Sequence, residues 1–227
     1  WTLVGAVIGG FIFGTLSDKF GRVRVLTWTI VLFAVFTGLC AFAQGYWDLL
    51  IYRTIAGIGL GGEFGIGMAL AAEAWPAQHR AKATSYVAIG WQLGVLAAAL
   101  LTPVLLPYIG WRGMFMVGII PAFVAWFFRA KLHEPEIFVQ SKEIKEHSHT
   151  NSFKLLVKDV RTTKTSIGVA ILTSVQNFGY YGIMIWLPNF LSKQLGFSLT
   201  KSGLWTAVTV CGMMVDIWLF GRLADKI

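Results

Sequence analysis

The chain has 227 residues, 56% hydrophobic and 13% charged, with a formal net charge of +8. Soluble domains carry about 25% charged residues, and several apolar runs here approach the ~20 residues a bilayer helix needs. A soluble globular class is therefore excluded and an integral membrane protein is indicated. The basic residues gather in alternate connectors, as membrane orientation demands, which sets aside a nucleic-acid partner.

Seven apolar helices are predicted, at about 1–16, 25–43, 48–73, 84–107, 111–128, 165–191 and 201–220. Helix is the expected form of all seven, because lipid offers backbone groups no other partner. The first carries Gly5-x3-Gly9 and Gly10-x3-Gly14, two faces suited to close helix approach. The turn after it holds Lys19, Arg22 and Arg24 and is placed in the cytoplasm. The second run holds Cys40, which reads, like Cys211, as a small buried hydrophobe.

The 48–73 run contains two ionisable residues. Glu63 lies about 15 residues in, near mid-bilayer at ~1.5 Å per residue. A carboxylate there is costly unless it faces a cavity or a partner, and burial would favour its protonated form. The plainer reading is a structural carboxylate held by neighbouring groups. Arg53 lies about three turns outward, rotated ~80° from Glu63 at ~100° per residue. It needs an anion, from the protein or from a substrate, unless it snorkels to the outer headgroups.

In the 84–107 run, Trp91 and Gln92 sit midway and are candidates for substrate contact, with packing as the plainer role. Stretch 129–164 is charged and mixed in sign, which marks a cytoplasmic linker with short amphipathic helices. The 165–191 helix bears Thr173, Gln176, Asn177 and Tyr180 within ~100° of arc, extended by Met184. Such a stripe should face water, substrate or a neighbouring helix rather than lipid. Gly179, Gly182 and Pro188 should weaken the helix beyond it. Gly203, Gly212 and Gly221 thin the last run, and Asp216 lies near its inner end. Residues 1–128 thus form part of an N-terminal bundle, 129–164 the linker, and 165–227 the start of a C-terminal bundle. Trp1 begins inside an apolar run and Ile227 ends inside a charged turn, so an internal piece of a longer chain is expected.

One phrase occurs twice. Phe13-Gly14-Thr15-Leu16-Ser17-Asp18-Lys19-Phe20 returns as Phe220-Gly221-Arg222-Leu223-Ala224-Asp225-Lys226-Ile227, each time where an apolar run meets charge. Duplication in the same context points to two related membrane-embedded halves. Other classes lack support. A seven-helix receptor has no reason to repeat the turn, and a retinal protein needs an interior Lys that the last run lacks. A membrane enzyme would need a Ser/His/Asp set or a phosphate-cradling loop, and none lies within the runs. His147 and His149 have no second ligand pair nearby, so no metal and no cofactor is expected.

Gly14-x-Leu16-x-Asp18-Lys19-x-Gly21-Arg22-x-Arg24 resembles the signature loop between helices two and three of the major facilitator superfamily. That family repeats the loop between helices eight and nine, where Gly221 and Asp225 fall. Arg53-x3-Gly57-x-Gly59-x2-Gly62 resembles its fourth-helix motif, and Trp111-Arg112-x2-Phe115 with Pro121 its sixth-helix opening. The resemblance implies an all-α membrane bundle, with helices two to eight of twelve present. It also implies a multi-pass protein of the inner (plasma) membrane. Gly61-Gly62-Glu63 and Glu73-x-Trp75-Pro76-x3-Arg80 are most similar to the metabolite–proton symporters of the sialate and monocarboxylate branch. Gly90-x3-Gly94 is followed by Val95 rather than Pro, which departs from the drug–proton antiporters.

The resemblance implies transport of a small organic anion with a proton, by rocking of two bundles; a sugar or metabolite uniporter is the alternative. Glu63 and Arg53 would couple the proton, and Gln176, Asn177, Tyr180 and Gln92 would contact substrate. Gly14, Asp18, Gly21, Arg22, Arg24, Glu73, Gly221 and Asp225 would form the gate. Asp18 and Asp225 would sit at helix N-termini of the opposite half, where a carboxylate gains ~0.3–1 kcal/mol when exposed. Arg22 or Arg24 would pair with Glu73. The plainer reading of these charges is that they only set topology.

Overall fold

The computed structural model describes residues 1–129, 158–196 and 198–225. The linker helices expected within 129–164 lie largely outside the described residues, as do Lys226 and Ile227. The order is α1 (Thr2–Phe20), α2 (Arg22–Leu39), a 3-10 turn (Cys40–Phe42), α3 (Tyr46–Ala74), a second 3-10 turn (Ala77–His79), α4 (Arg80–Val117), α5 (Ile119–Arg129), α6 (Val160–Leu195) and α7 (Leu199–Leu223). No strand occurs among the described residues. Among the described residues, five helical stretches are long and apolar enough to cross a membrane.

The runs at 84–107 and 111–128 were expected to be parted by a link at 108–110, and they part there: Gly110 has the non-helical torsions φ +64° and ψ −179°. A positive φ suits glycine, and here it divides the stretch into two helices with a minimal link. One boundary differs from expectation. The 165–191 run is helical and begins earlier, at Val160. It is absent from the five apolar stretches; Gln176, Asn177, Tyr180 and Tyr181 lower its mean hydropathy. Its helix runs on through Gly179 and Gly182, with no break at the expected weak point.

Helix ends follow local chemistry. Gly21 adopts φ 108° between α1 and α2, a conformation that lets the chain turn sharply at the Asp18–Arg24 segment. Asp159 caps α6 by accepting from the Thr162 N–H at 2.8 Å. That backbone hydrogen bond, with a second from the Thr162 hydroxyl, holds the Asp159 carboxyl below its usual range. Ser198 caps α7 in the same way through the Lys201 N–H.

Packing explains the glycines. A Cβ on Gly5 would strike the carbonyl of Thr54, one on Gly9 that of Ile58, one on Gly57 that of Thr2, and one on Gly61 that of Ala6. Their absence lets α1 and α3 meet backbone to backbone, the chief source of helix adhesion where lipid removes the hydrophobic drive. Gly59 meets the Thr29 carbonyl, which draws in α2. Val25, Leu26 and Ile66 fill the core below, with Phe13, Leu16 and Leu70 around them. The second expected face fails. Gly10 makes only ordinary contact with Gly61, and Gly14 has nothing within 4 Å. A glycine spacing licenses close approach but does not bring a partner to it.

A second seam joins the two halves of the sequence. α4 and α7 pack along their lengths, and α6 leans on α7. Gly203 seats against Ala99 and Pro103 at one end, and Gly221 against Ser85 at the other. Gly212, expected to belong to this set, meets nothing within 4 Å. The seam therefore touches backbone to backbone at the Gly203 end and seats the Ser85 side chain on Gly221 at the other.

Candidate functional site at the seam between the two halves

The repeated turns lie at the same end of the molecule, on either side of the 75–79 turn. In the first copy, Arg22 donates from Nη2 to Glu73 Oε1 at 3.0 Å and from Nε to Oε2 at 3.3 Å. The same guanidinium holds Asp18 at 2.9 Å and the Ser17 hydroxyl at 2.8 Å. One arginine thus ties the α1 end to the α3 end. Of the two pairs expected for Glu73, the structure forms the one with Arg22; Arg24 is exposed. Bidentate geometry is specific to a guanidinium, so Arg22→Lys should weaken this corner by ~1 kcal/mol, given its partial exposure. Thermal unfolding of the purified protein measures it, and Arg22→Lys with unchanged stability would remove the structural role.

In the second copy, Asp225 crosses to the other half. Its two carboxylate oxygens accept from the Ala81 and Lys82 N–H groups, both at 3.0 Å. These are unsatisfied donors of the first turn of α4, where the helix dipole also favours negative charge. Asp18 is engaged locally by Arg22, and no described helix N-terminus meets it.

Higher on the seam, α3, α4 and α6 meet through aromatic rings. Trp91 donates its indole N–H to the Tyr180 hydroxyl at 3.4 Å and meets Phe64 edge-on at 6.0 Å. Tyr180 also packs edge-on against Tyr181 at 5.4 Å. Glu63, the residue before Phe64 in the chain, is half-buried. It sits between Gly62, packed on Phe13 and Thr29, and Phe64, stacked on α4. Arg53 stands toward the outer end, 5.6 Å from the Phe115 ring. The nearby Arg112 donates to the Ala43 carbonyl at 3.0 Å.

The four expected substrate residues are not gathered at one place. Tyr180 reaches α4. Gln176 and Asn177 are exposed on α6, and the Asn177 amide donates to the Thr173 carbonyl one turn back. Gln92 is buried in the α4–α7 seam, where its amide N–H faces the Met213 sulfur at 3.6 Å. Its oxygen has no partner among the described residues. Sequence reasoning missed Phe64, Met213 and Ser17. Of these, Ser17 alone left a signal, as the small polar residue beside the repeated Asp.

The sequence matches the Major Facilitator Superfamily profile over residues 1–227. It is 78% identical to a "putative metabolite transport protein" of Haemophilus influenzae, over all of this chain and 57% of that one. It is 32% identical to the "cis,cis-muconate transport protein" of Acinetobacter baylyi, over 100% of this chain and 56% of the relative. The crystal structure of a D-xylose–proton symporter superposes with a TM-score of 0.69 at 22% identity, covering 100% of this chain and 57% of that one. The chain spans little more than half the length of these relatives. With its helical bundle, its doubled turn and its match from first residue to last, it belongs to the Major Facilitator Superfamily.

Proposed function

We propose that the complete protein is a secondary active transporter of the bacterial inner membrane, moving a small organic anion together with a proton by alternating access. The observation that carries this is the Asp225 cap on α4. It is a compact polar contact between the two halves of the sequence, at the end where the repeated turns cluster, and it can form in one state and release in another. The Arg22–Glu73–Asp18 corner supplies the rigid base against which such a contact can work. In this reading Gly14, Gly21 and Arg24 belong to the gate with Asp18, Arg22, Glu73, Gly221 and Asp225.

Glu63 carries the proton, because of the α3 carboxylates it alone lies mid-span, with Asp48 and Glu73 near the helix ends. Arg53 stabilises the coupling carboxylate or the incoming anion. Tyr180, Gln176, Asn177 and Gln92 supply polar contacts to substrate once the seam opens. A carboxylate cargo accords with the muconate relative, and sialate remains an arm of the test. That test is uptake of labelled muconate, sialate, lactate and hexose by the complete protein, with and without a protonophore. Uptake of a hexose, indifferent to the protonophore, would replace symport by uniport.

Asp225→Ala tests the gate separately. Loss of a helix cap costs ~1 kcal/mol, enough to shift a two-state equilibrium about fivefold at 1.36 kcal/mol per decade. Distance distributions between labels on the inner ends of α1 and α7 should show the opened population rising by that factor. An unchanged distribution would leave Asp225 a cap and nothing more.

A further inference from the structure

Below the Gly221 contact, the seam between α4 and α7 leaves a shallow, half-open groove lined by Lys82, Ser85, Tyr86, Ile89, Trp218 and Arg222. The helices touch so closely at Gly221 and Ser85 that the long side chains must splay around the contact. The Arg222 guanidinium lies over the Trp218 ring, its Cζ 3.7 Å from the centroid. Among the described residues, neither the Arg222 guanidinium nor the Lys82 ammonium has a carboxylate partner. Asp225 spends both oxygens on backbone N–H groups. The Ser85 hydroxyl donates to the Ala81 carbonyl and so lines the groove without offering its proton.

The repeat isolates Arg222 from the gate. The first copy has Thr15 at that position, and Thr15 bonds only to the Phe11 and Ile12 carbonyls of its own helix. The cation is therefore extra to whatever the two turns share. Two cations without a carboxylate partner among the described residues, beside an interfacial Trp and Tyr, call for an anion at the level of the headgroups. We propose that this groove binds the headgroup phosphate of an anionic phospholipid. Arg222 and Lys82 take the phosphate oxygens and the Tyr86 hydroxyl donates a further bond. Trp218 and Ile89 give the glycerol an apolar wall. Basic grooves between helices on the cytoplasmic side recruit such headgroups, and an acyl chain favours a lipid over a free ion. A lipid seated here would clip α4 to α7 and favour the closed seam.

Native mass spectrometry of the complete protein, exchanged into mixed phosphatidylglycerol and phosphatidylethanolamine, tests this. The unmodified protein should retain phosphatidylglycerol preferentially. Lys82→Gln with Arg222→Gln should cut that retention roughly tenfold, while Lys82→Arg and Arg222→Lys should preserve it. Equal retention of the two lipids by the unmodified protein overturns the proposal, whether or not the double variant folds. So does undiminished retention in the double variant, or full displacement by excess inorganic phosphate, which would make the occupant a soluble ion.

Discussion

Glu63→Gln in the complete protein is expected to abolish accumulation of substrate against its gradient. An acidic side chain within a membrane helix is expensive and persists where it has work to do. On α3 it is half-buried, between a glycine packed on two helices and a ring stacked on a third. Glutamine preserves the size and the hydrogen bonding but has no proton to release. With one proton per solute, each unit of pH difference is worth 1.36 kcal/mol and sustains about tenfold accumulation. The variant should bring internal substrate only to the external level, at every pH gradient. Exchange of labelled for unlabelled substrate should persist, since that half-cycle needs no net proton movement. A Glu63→Gln protein that still accumulates substrate with the parental slope against pH would remove the carboxylate from the coupling step.

The second large effect is structural and comes as a matched pair. Gly9→Ala should destabilise the protein by ~1–3 kcal/mol or more, and Gly14→Ala should not. The added methyl at Gly9 would overlap the Ile58 carbonyl and lie 2.7 Å from the Ile58 Cα. Backbone cannot swing aside as a side chain can, so α1 and α3 must separate, with the strain typical of over-packing. At Gly14 nothing lies within 4 Å, and replacing a helical glycine by alanine gains ~0.5–1 kcal/mol in propensity. Thermal unfolding in one detergent gives both values. Similar melting temperatures for the two variants would mean that the α1–α3 contact is loose in solution.

Much of the architecture was legible in the sequence because lipid leaves few choices. Helix was forced on every apolar run, and the all-helical bundle followed. The repeated turn was legible because two copies in one context reveal a constraint on the whole chain rather than on a local turn. The pairing of Arg22 with Glu73 could be anticipated from charge and proximity, but choosing Arg22 over Arg24 required the rotation of α2. What stayed hidden depends on which faces meet. Spacing gave Gly5/Gly9 and Gly10/Gly14 equal standing, and only the path of α3 separates them. Gln92 was a candidate for substrate contact from its position midway along the run. Its rotation turns it into the α4–α7 contact instead. The break within 108–110 was legible from the end of the apolar run, and Gly110 supplies its non-helical torsion.

The seam between α4 and α7 is tight in backbone and poor in polar satisfaction. The Gln92 amide oxygen and the hydroxyl of Ser202, next to Gly203, are both buried and unpartnered among the described residues. Each such orphan costs ~1–3 kcal/mol while it stays dry. Parting the helices would let water reach both and return that cost. The junction is thus spring-loaded: its steric fit pulls inward while its thirsty amide and hydroxyl push outward, leaving adhesion shallow enough for modest forces to reverse.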